Sequence, residues 1–133
     1  MNEERRALIR GLYDAMNRRD VDELKRLGRR FPDFEWSSAP DEIDSDTRRG
    51  ASSSLAYSRD IFELFAEMQT TLEEEIELGP DQLILVVFHD GRGAASGVPT
   101  GRREAHLWTF RPGGAVSLHE YSTVDEAREA AGR

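Results

Sequence analysis

Residues 105–121, AHLWTFRPGGAVSLHEY, read as two strands joined by a tight turn. Side chains alternate across a strand, so His106, Trp108 and Phe110 share one face while Ala105, Leu107 and Thr109 share the other. Beyond the turn, Ser117, His119 and Tyr121 form one set. Imidazole, indole and phenol groups on a sheet facing an interior suit a small-molecule site, in which an apolar wall carries a few polar groups. The stretch leaves the molecule itself unnamed.

Working outward, the chain has 133 residues, enough for one domain over 1–133 with a real core and too few for two. Hydrophobic residues at 38% and charged residues at 33% fit a globular protein. No apolar run is long enough for a membrane span, and the acid-bearing start MNEERRALIR lacks a secretion-signal core, so a cytoplasmic location is expected. The absence of cysteine excludes disulfides, thiol catalysis and thiolate metal sites. A net charge of -8, from 26 acidic and 18 basic residues, works against binding a nucleic-acid backbone.

Residues 3–18 place Leu8, Ile9, Leu12, Tyr13 and Met16 on one stripe and predict an amphipathic helix. Asp20 caps a second, short helix that Gly28 is placed to end. Residues 31–36 fit a brief strand delivering Trp36 inward, and 37–49 read as a loop that suits a lid or a plain connection. Tyr57, Ile61, Leu64, Phe65 and Met68 mark a third helix after Gly50. In 70–78, Leu72, Ile76 and Leu78 fall on one side and Thr71, Glu73, Glu75 and Glu77 on the other. A strand apolar on both faces follows at 82–90, then a turn at 90–93, a strand near 94–98, the hairpin of 105–121, and a terminal helix capped from Thr123. Two helices, a strand, a helix and then antiparallel strands imply an α+β domain whose helices cross one face of a curved sheet around a cone-shaped cavity.

Three segments, LYDAMNRRDVDEL at 12–24, RRG at 48–50 and SGVPTGRREAHLWTFRPGGAVSLHEY at 96–121, give the chain a resemblance to the nuclear transport factor 2-like superfamily and its SnoaL-like group. The resemblance implies the ketosteroid isomerase-like fold: a cone-shaped α+β barrel, or cystatin-like roll, with three N-terminal helices on a curved, mostly antiparallel sheet. It also implies a ligand inside the cone and a homodimer through the outer sheet face. The superfamily spans isomerases, dehydratases, cyclases, epoxide hydrolases and non-catalytic binding domains, so it does not choose an activity. By this resemblance His106 stands where ketosteroid isomerases keep an acidic hydrogen-bond donor. Ser37 falls on or beside their general-base aspartate, and Leu12, not Tyr13, matches their oxyanion-hole tyrosine. Both departures argue against that isomerase chemistry.

An imidazole can act as acid, base or donor near neutral pH, which makes His106 and His119 the sharpest candidate pair, with Asp90 as a supporting acid. Tyr13, Trp36, Tyr57, Phe88, Trp108 and Tyr121 are the candidate ligand contacts, suited to a small apolar or aromatic molecule. His89, opposite Phe88 in its strand, is expected on the outer face. Glu74 interrupts an apolar set and is either a perturbed base or an exposed strand end. A metal site from His106, His119 and Asp90 or Glu74 has no motif spacing behind it, so neither metal nor cofactor is expected. GRGAASG at 91–97 lacks dinucleotide-binding spacing, and the serines at 52–54 form no nucleophile elbow. The expected function is small-molecule binding, with cofactor-independent isomerisation, dehydration or cyclisation as its catalytic form and an interaction module as its rival.

Overall fold

A computed structural model of the protein describes residues 1–39 and 46–132. Its order is α1 (Glu3–Arg18), α2 (Val21–Arg30), β1 (Glu35–Ser37), β2 (Thr47–Arg49), α3 (Ala51–Leu64), β3 (Phe65–Glu77), β4 (Gln82–Gly93), β5 (Pro99–Phe110), β6 (Val116–Tyr121) and α4 (Val124–Ala131). The strands form one open sheet in the order β2-β1-β6-β5-β4-β3. Among the described residues only the β1–β6 pair is parallel; β3 to β6 run as an antiparallel meander. This is the expected α+β cone architecture, with α4 added on the far side.

Two apolar clusters define the faces. On the inner face Leu83, Leu85, Val87, Trp108, Phe110 and Leu118 pack against Ile9 and Tyr13 of α1. On the outer face Ile84, Ala105 and Leu107 pack against Ala127 of α4. Side-chain caps start three helices: Asn2 accepts from the Arg5 N–H, Asp20 from Glu23 and Thr123 from Glu126. Among the described residues no helix is long and apolar enough to cross a membrane.

Several local expectations are corrected. Helix α2 runs past Gly28 to Arg30, because that glycine serves packing: a Cβ there would lie 3.2 Å from the Ala51 Cβ of α3. Helix α3 stops at Leu64, so Phe65 and Met68 belong to β3. Its last turn is held by the Arg19 guanidinium, which donates to the carbonyls of Phe62 and Phe65 at 2.8 and 2.7 Å. Residues 90–93 continue β4, where Gly91 permits close approach of β3; a Cβ there would meet the Glu67 carbonyl at 2.5 Å. The expected strand at 94–98 is instead the connection from β4 to β5, with Gly97 at φ 66°. Within the expected loop, Thr47–Arg49 forms β2, while 40–45 lie outside the described residues.

The alternation expected along 70–78 is broken by a β-bulge. Leu72 pairs with Val87 and Glu74 with Val86, leaving Glu73 as the extra residue. Leu72 therefore packs on the inner cluster and Ile76 and Leu78 on the outer one. Glu75 turns to the helix side, where it accepts from Arg10 Nη2 at 2.8 Å.

Candidate functional site

Helices α1, α2 and α3 roof the inner face of the sheet and leave a cavity of about 580 Å³ between them. Its walls are largely apolar, with Leu12, Met16, Leu24, Leu55, Ile61 and Leu118 among them. The polar groups gather on β4, β5 and β6: His89, Arg102, Glu104, His106 and Glu120 all line it. Glu104 is 2% exposed, His106 1% and Glu120 8%, so these are core residues as well as cavity residues.

Their bonds form one network. His106 Nδ1 shares a 2.7 Å hydrogen bond with the Tyr13 hydroxyl, whose oxygen also accepts from Trp108 Nε1 at 3.0 Å. His106 Nε2 lies 3.0 Å from Glu104 Oε1 and 3.4 Å from Glu120 Oε2. Both neighbours of Nε2 are carboxylate oxygens, so Nε2 carries the proton and Nδ1 accepts from Tyr13. His89 Nε2 reaches the same Glu104 Oε1 at 2.8 Å, and its Nδ1 pairs with the Thr70 hydroxyl at 2.7 Å. Arg102 Nε contacts Glu104 Oε2 at 3.0 Å, and Trp36 Nε1 donates to Glu120 Oε2 at 3.2 Å. Two buried carboxylates are thus held by imidazole, guanidinium and indole donors, which is what lets them stay in the core.

Burial sets the proton inventory. It pushes the His106 imidazole below its ordinary range, with the Glu104 hydrogen bond opposing and the His89 charge adding to the drop. It raises the Tyr13 phenol well above the ordinary value against the Trp108 hydrogen bond, while the charges of Glu120 and Glu104 push it further up. Near neutral pH the site therefore holds a neutral imidazole and a protonated phenol. Their shared bond joins phenol, imidazole and the Glu104 carboxylate in one hydrogen-bonded relay, with the phenolic proton held on Tyr13.

Of the residues singled out from sequence, Tyr13, Trp36, Tyr57, Trp108 and His106 line the cavity. Trp36 and Tyr57 meet edge to face at 4.9 Å, and the buried Arg48 lies 3.5 Å above the Tyr57 ring while donating to Ser38 Oγ at 2.6 Å. His119 does not converge with His106: it pairs with Leu107, whereas His106 pairs with Glu120. Directly paired residues share a face, so His119 points outward. Burial also lowers its imidazole, with Glu35 opposing and Arg111 assisting. Tyr121, in phase with His119, packs with the outer cluster. Phe88 lies on that face too, beneath Arg103 at 5.3 Å, and Asp90, two residues on, is exposed there. Glu74 is exposed opposite Val86 on the same side. Ser37 shares a hydrogen bond with Thr47 at 2.8 Å. The expected pair of histidines is therefore corrected to His106 and His89, whose rings are 5.4 Å apart.

Glu104, Glu120 and the inward position of His89 are absent from the sequence reading. Their signal was parity: Glu104 is in step with His106 and Trp108, Glu120 with Val116 and Leu118, and His89 with Leu83, Leu85 and Val87.

No protein-family model matches the chain, and no curated protein does. Solved structures do. It is similar to an NTF2-like protein of unknown function from Burkholderia pseudomallei K96243, with TM-score 0.72 and 23% identity over 92% of this chain and 93% of that one. It is similar to TerC co-crystallised with polyporic acid, with TM-score 0.71 and 19% identity over 96% and 97%. It is also similar to RV0760c from Mycobacterium tuberculosis in complex with estradiol-17β-hemisuccinate, with TM-score 0.71 and 12% identity over 90% and 93%.

Proposed function

Because the chain has the NTF2-like fold, we propose that its cone holds a small, largely apolar organic molecule whose polar end sits against His106, Glu104 and Glu120. The observation that carries this is the division of the cavity, about 580 Å³ of mostly apolar wall with one buried polar cluster at the sheet. Such a division fixes orientation: burying apolar area supplies affinity and the few polar groups select the end that enters first. The organic molecules bound by TerC and RV0760c support the class of ligand. Estradiol-17β-hemisuccinate and polyporic acid are therefore the first probes. Isothermal titration is expected to show saturable binding of one probe per chain, lost in Leu55→Trp, which fills the cavity. Failure of both probes and of a panel of planar aromatic acids to saturate would overturn the reading.

A second reading, acid-base turnover by isomerisation, dehydration or cyclisation, is favoured by the Tyr13–His106–Glu104 relay. In it His106 exchanges a proton with Glu104 while Tyr13 holds the other ring nitrogen. His106→Gln and Glu104→Gln should each abolish turnover of a substrate once one is found, while His119→Gln should leave it intact. Loss of turnover in His119→Gln alone would remove the relay from the mechanism.

Pairing of two copies across the outer face is part of the same proposal. Its support is Phe88, half-buried on the outer face outside the α4 cluster with the Arg103 guanidinium over its ring. Light scattering is expected to give twice the chain mass, and half of it in Phe88→Glu.

A further inference from the structure

Four ligating atoms of the polar cluster, on His89, Glu104, His106 and Glu120, all lie within 4.8 Å of one another. We propose that these four side chains form a binding site for one divalent transition-metal ion, with zinc as the reference ion. This deepens the reading of the cone as a ligand site, on which it rests for its function, and it replaces the expectation of a metal-free pocket.

The donor geometry carries the inference. Tetrahedral zinc with nitrogen and oxygen ligands at 2.0–2.2 Å sets neighbouring donors about 3.3–3.5 Å apart. Here His89 Nε2 to Glu104 Oε1 is 2.8 Å, His106 Nε2 to Glu104 Oε1 is 3.0 Å and His106 Nε2 to Glu120 Oε2 is 3.4 Å. Displacements of a few tenths of an ångström bring these three pairs to that spacing, and the wider pairs, none beyond 4.8 Å, close in as the ion draws the donors together. Both imidazoles present Nε2 to the same point from different strands, an arrangement that one histidine–carboxylate bond does not need.

A second feature is the outer support. Metal-bound histidines are held at their other nitrogen by an acceptor, and bound carboxylates are themselves hydrogen-bonded. His106 Nδ1 meets the Tyr13 hydroxyl and His89 Nδ1 the Thr70 hydroxyl. Glu104 is met by Arg102 and Glu120 by Trp36. On coordination each imidazole proton moves from Nε2 to Nδ1, where the hydroxyl oxygen accepts it, and no net proton is lost from the ring. Two carboxylates beside one guanidinium leave the site net negative toward a divalent ion, and imidazole nitrogen favours a transition metal over magnesium or calcium. His89, with its side chain 21% exposed, stands on the cavity side. An ion there would meet the oxygen-bearing end of the cavity's occupant.

The test uses the full chain stripped with a chelator and then titrated with zinc against a chromophoric competitor. Wild-type protein is expected to take up one equivalent per chain. His89→Ala and Glu120→Gln are each expected to weaken binding at least tenfold, and Tyr13→Phe, which only supports a ligand, about tenfold or more. Uptake below half an equivalent, or an affinity unchanged in His89→Ala, would overturn the site. Cobalt loading of the wild-type protein needs no variant: four- or five-coordinate visible bands support the site, and an octahedral, aquo-like spectrum sinks it. Organic-probe binding is measured separately in chelator. Probe binding without zinc uptake removes the metal site and keeps the pocket, whereas zinc uptake without any probe binding does the reverse.

Discussion

Arg102 and Arg103 are neighbours on β5 and each pairs with a glutamate, yet they live in different physics. Arg102 reaches inward to Glu104 Oε2, in a network where Glu104 is 2% exposed. Arg103 reaches outward to Glu73 at 2.6 Å, with its own side chain 60% exposed. The inner pair exists because two imidazoles share with Arg102 the cost of burying the Glu104 carboxylate, and it lines the cavity. The outer pair drapes over Phe88 and is screened by water. One residue of parity separates a site from a surface.

The contrast can be broken at graded cost. Trp108→Ala removes an inner-face side chain that bonds Tyr13 and fills the core, and is expected to lose about 3–5 kcal/mol of stability in urea unfolding, together with probe binding. Glu104→Gln keeps shape while removing the charge that two imidazoles and Arg102 address; a loss of about 1–3 kcal/mol is expected, and an unchanged urea midpoint would make the inner network dispensable. His119→Leu tests the outer face through pH. Because burial holds the folded imidazole below the unfolded value of 6.5, the unfolded chain takes the proton first, so His119 favours folding above pH 6.5 and that contribution fades as pH falls through the folded pKa. The variant should unfold less readily than wild type on acidification from pH 7 to 5, retaining only the part of the acid limb that His106 shares. Glu73→Gln, at the bottom of the scale, should leave the urea midpoint where it was; a clear drop would show that the outer pair matters more than its exposure allows.

The same contrast explains what could be read from the sequence. The helices were legible because their apolar stripes and caps are local, as with Asp20 to Glu23 and Thr123 to Glu126. The inward set of His106, Trp108 and Phe110 was legible because parity holds within a strand. Parity does not cross a turn. The connection from Phe110 to Val116, closed by Arg111 N–H to the Ala115 carbonyl with Gly113 and Gly114 at positive φ, sets Phe110 opposite Val116 and so sends His119 outward. The inward place of His89 is hidden for a related reason: in a strand apolar on both sides nothing local chooses between Phe88 and His89, and only the pairing of that strand reveals which set faces the helices. Glu104 and Glu120 go unread because an acid sits inward only where donors meet it, and for Glu120 a donor, Trp36, comes from 84 residues earlier.

The bulge at Glu73 has a hereditary consequence. Since β3 changes phase there, the strand carries two amphipathic codes spliced at one codon. Substituting Glu73 costs only a surface pair, but deleting it would restore an unbroken alternation downstream of Leu72. Glu74 would then follow Leu72 directly against Val86, Ile76 would stay on the outer face with Glu75 and Glu77 still beside Arg10 and Arg6, and a loss of three nucleotides would straighten the strand without turning over one of its side chains.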